Sequence, residues 1–121
     1  ESAEPRHALD GLAEQYFAWK AGTRKITDRT LKDYRRDYDN WIRPTLGAHP
    51  ADAVDELDVQ AWVDKMAARG LSAKSIQDRH SILSSIYKFG SARTRRLVGH
   101  NPCLETQLPT KRRKADRKSV V

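Results

Sequence analysis

The side chains best suited to acid–base or metal chemistry are four histidines: His7, His49, His80 and His100. None of them stands at a metal-ligand spacing from another histidine, a cysteine or a carboxylate. His80 falls on the apolar face of a predicted helix, where we expect a hydrogen-bonded core histidine. The sequence also contains no glycine-rich phosphate loop and no nucleophile elbow. It therefore predicts no catalytic residue, no metal site and no cofactor.

An acidic run raises the alternative of a cation site; its members are Asp52, Asp55, Glu56 and Asp58. Their spacing fits no calcium-binding loop, and a helical pattern follows directly. We therefore expect a capped, solvated helix start. The four tyrosines fall in apolar stripes of helical period, so none is assigned the role of nucleophile.

Basic side chains offer a different chemistry, the recognition of a polyanion. The chain has 23 lysines and arginines against 16 acidic residues, a net charge of +7. Basic residues exceed acidic ones by three in 21–50, by five in 73–100 and by four in 101–121, whereas acidic residues are in excess in 1–20 and 51–72. A protein made basic only for solubility has no reason to segregate charge by helix. Nucleic acid is the first partner that this pattern predicts, and an anionic membrane surface is the second.

The elements that carry these charges are predicted to be helices, since no alternating strand pattern is found. Helices are expected over 8–20, 28–43, 56–69 and 73–95. Asp55 should lead the third of them and Ser72 should cap the fourth. We expect Gly22 to end the first helix in a left-handed cap. Asp28 should cap the second helix and Pro44 should stop or kink it. Short connectors between four helices favour an all-α, compact orthogonal bundle.

The core stripes of these helices define where the charged faces lie. The predicted core residues include Leu9, Leu12, Tyr16, Trp19, Tyr34, Tyr38, Trp41, Trp62, Ile76, Leu83 and Tyr87. On the back of the second helix, opposite its aromatic stripe, lie Arg29, Lys32, Arg36 and Arg43. On the fourth helix, a polar stripe away from the core holds Lys74, Gln77, Ser81 and Lys88. The tail adds Lys111, Arg112, Arg113 and Lys114.

The competing explanation for both stripes is a solvated helix back with intrahelical ion pairs, each worth a few tenths of a kcal/mol. Two basic helices and a basic tail beside two acidic helices favour a binding surface instead. Phosphate oxygens bind arginine and lysine, and base edges bind arginine, lysine, glutamine or asparagine. The stripes contain these residue types, so we predict a DNA-binding surface.

The single cysteine, the lack of a long apolar run and the two chain ends bear on the location of the protein and the extent of its folded domain. Cys103 is the single cysteine, which excludes an internal disulfide and indicates a reducing, cytoplasmic location. We expect its side chain to be buried as a small apolar group. No apolar run approaches the roughly 20 residues that a membrane span needs. The chain begins without methionine and ends in a polar stretch, so we interpret it as a fragment, with an extension over 1–7, a folded domain over 8–108 and a basic linker over 109–121.

Read in order, a series of short motifs resembles a known family. The series is Thr30-x-x-x-Tyr34, Ile42-x-Pro44-x-Leu46-Gly47, Gly70-Leu71-Ser72 with Ser75-Ile76, Phe89-x-x-Ala92 and Val98-x-x-Asn101-Pro102. It resembles the N-terminal core-binding domain of tyrosine recombinases, the phage integrase family. The resemblance covers about residues 8–110 and implies a SAM-like bundle of four or five helices. It also implies that the domain grips the core recombination site as one jaw of a clamp.

The same resemblance implies that catalysis belongs to a separate domain, which carries two arginines, a lysine, histidines and the nucleophilic tyrosine. The expected partners are double-stranded DNA, the catalytic domain of the same parent chain and other protomers assembled on DNA, while the isolated domain is a monomer. Thr30 and Ser75 become candidate phosphate contacts, although the family usually has threonine where Ser75 stands. Two alternatives remain open: a self-contained helical transcriptional regulator, and a protein-interaction bundle whose charge is incidental.

Overall fold

A computed structural model describes residues 8–92 and 96–109 of the chain. The helices are α1 (Leu9–Thr23), α2 (Asp28–Asp37), α3 (Glu56–Ala68) and α4 (Ala73–Ser91). A π-helical segment (Tyr38–Gly47) continues α2, and a short 3-10 turn (Ala51–Ala53) precedes α3. Over the described ranges there is no strand, only an isolated bridge between Ala8 and Pro50. The prediction of an all-α bundle is confirmed.

The starts of α3 and α4 follow from side-chain caps, as expected from the sequence. The Asp55 carboxylate accepts a hydrogen bond from the backbone N–H of Asp58 at 2.9 Å, and the Asp58 carboxylate accepts one from the backbone N–H of Asp55 at 3.1 Å. This capping box explains the acidic run as a helix start. The Ser72 hydroxyl accepts from the backbone N–H of Ser75 at 3.1 Å and so begins α4.

The first two helix boundaries differ from the prediction. α1 continues through Gly22 to Thr23, whose hydroxyl donates to the carbonyl of Lys20 at 2.8 Å and closes the last turn. Arg24, with a φ of 57°, takes the left-handed position that the sequence assigned to Gly22. The cap of α2 is Thr27 and not Asp28, because the Thr27 hydroxyl accepts from the backbone N–H of Thr30.

Of the two outcomes expected at Pro44, a stop or a kink, the stop is wrong. The chain widens into the π-helical segment from Tyr38 and keeps helical hydrogen bonding past the proline to Gly47. In a π-helix each backbone N–H bonds the carbonyl five residues earlier, and not four residues earlier as in an α-helix. The carbonyl pairing around Pro44 therefore differs from the α-helical pairing that a proline disrupts. The Trp41 carbonyl also accepts from the Thr45 hydroxyl at 3.2 Å and from Trp62 Nε1 at 2.8 Å. Side chains therefore stabilise the altered turn.

The fourth helix ends earlier than predicted. Its last residue is Ser91, and Ala92 leaves the helix with a ψ of 144°. The last three residues of the predicted span, 93–95, lie outside the described residues. Beyond them the chain returns to the bundle, because the backbone N–H of Leu97 donates to the carbonyl of Gly90 at 2.7 Å.

The core lies where the four helices meet the π-helical segment. Most apolar residues of the predicted stripes are buried. Leu31, Tyr34 and Trp41 are only partly buried, and Trp19 is 41% exposed. Trp19 stands at the edge of the α1 stripe and packs its ring on Phe89 with centroids 5.2 Å apart.

Two fully buried tyrosines keep their hydroxyls bonded. Tyr38 donates to Asp10 Oδ1 at 2.6 Å, and Tyr87 donates to the carbonyl of Ala51 at 2.5 Å. Each of these rings thus packs in the core without leaving a polar group unpaired.

Cys103 is 3% exposed, which confirms the expectation of a buried apolar role. Burial raises the pKa of its thiol to about 12. We therefore expect the folded protein at pH 8 to react with a thiol reagent such as dithionitrobenzoate far more slowly than the denatured protein, because thiolate is the reacting species. Colour development with and without guanidinium measures this, and equal rates would contradict the burial.

Candidate nucleic-acid interface

A cleft of about 530 Å³ separates α2 from α4. Its lining residues are Tyr16, Thr30, Asp33, Tyr34, Arg36, Asp37, Asp78, Ser81, Ile82 and Ser85. Three of the predicted site residues, Thr30, Arg36 and Ser81, meet here although 51 positions separate the first from the last. The two basic helices thus contribute to one continuous surface along the cleft.

Three cations of α2 are exposed, and one of them, Arg36, lines the cleft. Arg29 and Lys32 are exposed, and no carboxylate of the described residues lies within ion-pair distance of either. The Arg36 side chain is 63% exposed and pairs with Asp33 at 3.3 Å and, more loosely, with Asp37 at 3.9 Å. Such solvent-exposed pairs are weak, so the Arg36 guanidinium can exchange a carboxylate for a phosphate at little cost.

The α4 side presents the predicted polar stripe. Lys74 is exposed in the first turn and forms an i,i+4 pair with Asp78 at 3.3 Å. Ser81 is exposed and lines the cleft, and Lys88 is exposed in the last turn. This stripe therefore offers a cation at each end and hydroxyl groups between them.

Arg43 does not join this surface, so its predicted alignment with Arg29 and Lys32 is wrong. Its guanidinium points to α1, with NH1 at 3.2 Å from Asp10 and NH2 at 3.5 Å from Glu14. The reason is the π-helical segment, whose wider turn advances each residue by less than 100° and so rotates Arg43 away from the α2 back. The prediction assumed an uninterrupted α-helix.

Part of the charge segregation between helices serves the contact of α1 with α2. Glu14 accepts two hydrogen bonds from Arg35, at 2.7 and 3.3 Å, in addition to its pair with Arg43. The hydrogen bond from Arg35 lowers the pKa of the Glu14 carboxyl. The acidic helix α1 thus neutralises the arginines that face it. The charged residues that line the cleft are Arg36 and three aspartates, Asp33, Asp37 and Asp78.

The two candidate hydroxyls are both engaged at helix starts. The Thr30 hydroxyl accepts a hydrogen bond from that of Thr27 at 2.9 Å, beside the cleft. The Ser75 hydroxyl accepts from that of Ser72 at 3.2 Å in the first turn of α4. Each lies at the surface and keeps its own proton available to donate.

Gln77, like Arg43, is a predicted site residue with a partner that the sequence did not predict. Its Nε2 donates to the carbonyl of Pro109 at 2.8 Å, so the amide is already bonded to the chain's own backbone. The tail residues Lys111, Arg112, Arg113 and Lys114 lie outside the described residues.

Sequence reasoning missed a cluster around Trp41. The guanidinium carbons of Arg69 and Arg79 lie 5.0 and 4.9 Å from the centre of its ring. Arg79 also approaches Asp37 at 3.6 Å and donates to the carbonyl of Ser75 at 3.1 Å. It joins the two helices that border the cleft. The i,i+4 relation of Arg79 to Ser75 was visible in the sequence, but its contact with Trp41 was not.

His80 departs from the expected satisfied core histidine. It is only partly exposed, and its Nε2 is buried with no hydrogen-bond partner in the described part of the chain. Burial lowers the pKa of His80, while a hydrogen bond to the backbone of Cys103 acts in the opposite direction.

Among the described residues, no group of three or more histidine, cysteine or acidic side chains could hold a metal ion. None of the described helices is long and apolar enough to cross a membrane.

Comparison of this chain with known proteins identifies a matching family and a relative. The family described as phage integrase, N-terminal SAM-like domain, matches residues 13–94. Tyrosine recombinase XerC of Xylella fastidiosa is 34% identical over 113 residues, which are 90% of this chain and 37% of that protein. The chain thus spans well under half the length of this relative.

Two solved structures share the fold at low identity. The integrase-like domain from Bacillus cereus superimposes with a TM-score of 0.77 at 20% identity, covering 93% of this chain and 92% of that one. The Tn1549 transposon integrase, solved in complex with a circular intermediate DNA, gives a TM-score of 0.63 at 19% identity, covering 89% of this chain and 36% of that one. With the family match over residues 13–94, the resemblance seen in the sequence is confirmed: the chain belongs to the phage integrase family, as the N-terminal SAM-like domain of a tyrosine recombinase.

Proposed function

We propose that this domain binds duplex DNA at the core site of an integrase-type site-specific recombinase. The observation that carries the proposal is the unequal compensation of charge. Arg35 and Arg43 are paired with carboxylates of α1, whereas Arg29 and Lys32, both exposed on α2, have no carboxylate partner among the described residues. A cationic surface left uncompensated in this way attracts the phosphate backbone.

The proposed contacts divide by chemistry. The exposed cations of α2 and α4 (Arg29, Lys32, Arg36, Lys74 and Lys88) would contact phosphates, and the hydroxyls of Thr30, Ser75 and Ser81 would donate to phosphate oxygens. The tail residues Lys111, Arg112, Arg113 and Lys114 would follow the backbone as a linker. A self-contained transcriptional regulator would need a dimer that reads two half-sites about one helical turn apart.

Strand cleavage and joining are assigned to a separate catalytic domain. Burial raises the pKa of Tyr38 and Tyr87, and both hydroxyls are bonded inside the bundle. A buried, neutral phenol cannot attack a phosphodiester. The partners proposed for the domain are DNA, that catalytic domain and other protomers assembled on the same site. The isolated domain would be a monomer, and the parent protein would act in a bacterial or phage-infected cell. Residues 8–108 would form the DNA-binding unit and 109–121 the linker.

The α2 surface is tested by the double change Lys32→Ala with Arg36→Ala. Both side chains are exposed, so each change should leave the free energy of unfolding within about 0.5 kcal/mol. DNA affinity should fall, and the slope of log affinity against log salt should decrease by about one unit for each phosphate that the variant no longer neutralises. Thermal denaturation and DNA titration at several salt concentrations measure the two effects separately.

The matched control is Lys20→Ala with Lys65→Ala, which removes the same charge from α1 and α3. This control should reduce DNA affinity much less, because neither side chain lies on α2 or α4. Equal reductions in the two double variants would mean that only net charge matters. A monomer by sedimentation that binds single sites would exclude the dimeric regulator.

A further inference from the structure

Arg79 lies on α4 and is largely enclosed by protein. Its side chain is 16% exposed, whereas that of Arg36 on the facing helix is 63% exposed. Among the described residues, those that line the cleft do not include Arg79. Arg79 therefore does not share the open setting of the proposed phosphate contacts, and its role has to follow from the groups that it touches.

The guanidinium of Arg79 contacts three elements at once. Its NH2 lies 3.6 Å from Asp37 Oδ1, at the end of α2, and its NH1 donates to the carbonyl of Ser75, in the first turn of α4, at 3.1 Å. The guanidinium carbon lies 4.9 Å from the centre of the Trp41 ring, in the π-helical segment. A planar guanidinium can face a ring and donate in its own plane, which the ammonium of lysine cannot do. The residue type thus suits a junction between helices.

Asp37 connects Arg79 to the surface proposed to bind DNA. The same oxygen, Oδ1, lies 3.9 Å from NH2 of Arg36, so two guanidiniums share one carboxylate. Arg79 is the nearer of the two and is shielded from solvent, so its attraction for the carboxylate is screened less. Asp37 held by Arg79 competes less well for Arg36. The Arg36 guanidinium is thereby kept available to a phosphate.

Stability alone does not explain an arginine at this place. The Nε of Arg79 is buried and has no hydrogen-bond partner among the described residues. An unpaired buried donor lowers the stability of a fold, and a well-packed apolar side chain would avoid that loss. A charge that costs stability but fixes the carboxylate beside Arg36 is accounted for by its effect on the cleft.

We propose that Arg79 is a positioning residue of the DNA-binding surface, which ties the end of α2 to α4 through Asp37 and leaves Arg36 available to contact phosphate. This inference rests on the proposed function, since it concerns how the same surface is arranged. Ser75, whose hydroxyl is a proposed phosphate contact, is bonded to the same guanidinium through its carbonyl. One side chain thus fixes the spacing between a cation of α2 and a hydroxyl of α4.

The test uses the full chain with Arg79→Lys, which keeps the net charge and removes the planar fork. DNA affinity, measured by titration well below the melting temperature, should fall about fivefold, as expected for the loss of one coupled contact. The matched control is Arg69→Lys. It also keeps the charge and disturbs a contact with the Trp41 ring, at 5.0 Å, but this arginine is exposed at the C-cap of α3. The control should leave the DNA affinity unchanged.

A double-variant cycle with Asp37 shows whether the effect passes through that carboxylate. Arg79→Lys should weaken binding by less than about twofold when it is introduced into Asp37→Asn, because the group through which it acts is already gone. The NMR signal of the Trp41 indole N–H should shift in both Arg79→Lys and Arg69→Lys, since each removes a guanidinium from its ring. This signal checks that both variants disturb the ring although only one of them affects DNA binding.

Four results would overturn the inference. Unchanged DNA affinity in Arg79→Lys would mean that a positive charge is all that this position needs, as for a direct phosphate contact. Equal losses in Arg79→Lys and Arg69→Lys would assign the effect to the Trp41 ring. A loss that persists undiminished in Asp37→Asn would show that Asp37 is not the link. An unshifted Trp41 signal in Arg79→Lys would show that the two side chains are not in contact.

The unchanged protein separates this inference from the proposed function. If it binds no DNA, the proposed function fails and the inference fails with it. If it binds DNA and any of the four results is found, the inference alone is removed.

Discussion

The DNA affinity of the isolated domain is expected to fall on the order of a thousandfold between about 50 and 200 mM salt. Five cations of α2 and α4 are exposed, and the segment 111–114 adds four more, so about six phosphate contacts are a conservative number. Each contact releases condensed counterions from the duplex, and this release is opposed by added salt. Fluorescence anisotropy of a labelled duplex across a salt series measures the slope.

The same series locates the contacts. Replacing Lys111, Arg112, Arg113 and Lys114 by alanine should reduce the slope by up to about four units, whereas the control pair on α1 and α3 should leave it nearly unchanged. An affinity that does not respond to salt would contradict the phosphate-binding surface. It would favour the alternative of a protein-interaction bundle.

Trp62→Ala is expected to lower the free energy of unfolding by about 3–5 kcal/mol. The indole is 3% exposed, and its Nε1 donates to the Trp41 carbonyl at 2.8 Å. Removing it leaves a cavity between α3 and the π-helical segment and takes a donor from a turn that Pro44 already deprives of one N–H. The decrease is a large share of the roughly 5–15 kcal/mol that stabilises a domain. Urea denaturation followed by circular dichroism measures it.

Two variants separate the causes of this decrease. Trp62→Phe keeps most of the apolar contact and removes the hydrogen bond, so it should cost about 1–2 kcal/mol. Leu57→Ala is the matched control on α3, where the side chain is 77% exposed, and should change stability by no more than about 0.5 kcal/mol. If Trp62→Ala and Leu57→Ala denature at the same urea concentration, α3 is not packed against the π-helical segment as described.

The sequence by itself determined the class of fold, the starts of α3 and α4 and the family. Apolar residues recur at helical period, and this local property predicts a buried face before any contact is known. Asp55 and Ser72 begin their helices through bonds to residues three positions away, so their roles could be read from spacing alone. The ordered series of motifs depended on the chain only, and the family match confirms it.

Tertiary structure decided which charges remain available for a partner. Arg43 shares the sequence spacing of Arg29 and Lys32, but the π-helical segment turns it toward carboxylates of α1. That segment depends on a hydrogen bond from Trp62, a residue 21 positions from the carbonyl it binds. Gln77 likewise fits a polar stripe, and only the return of residues 98–109 to the bundle shows that its amide is bonded to Pro109. Helical periodicity is set by bonds between near neighbours, whereas the availability of a side chain depends on groups that folding brings from far along the chain.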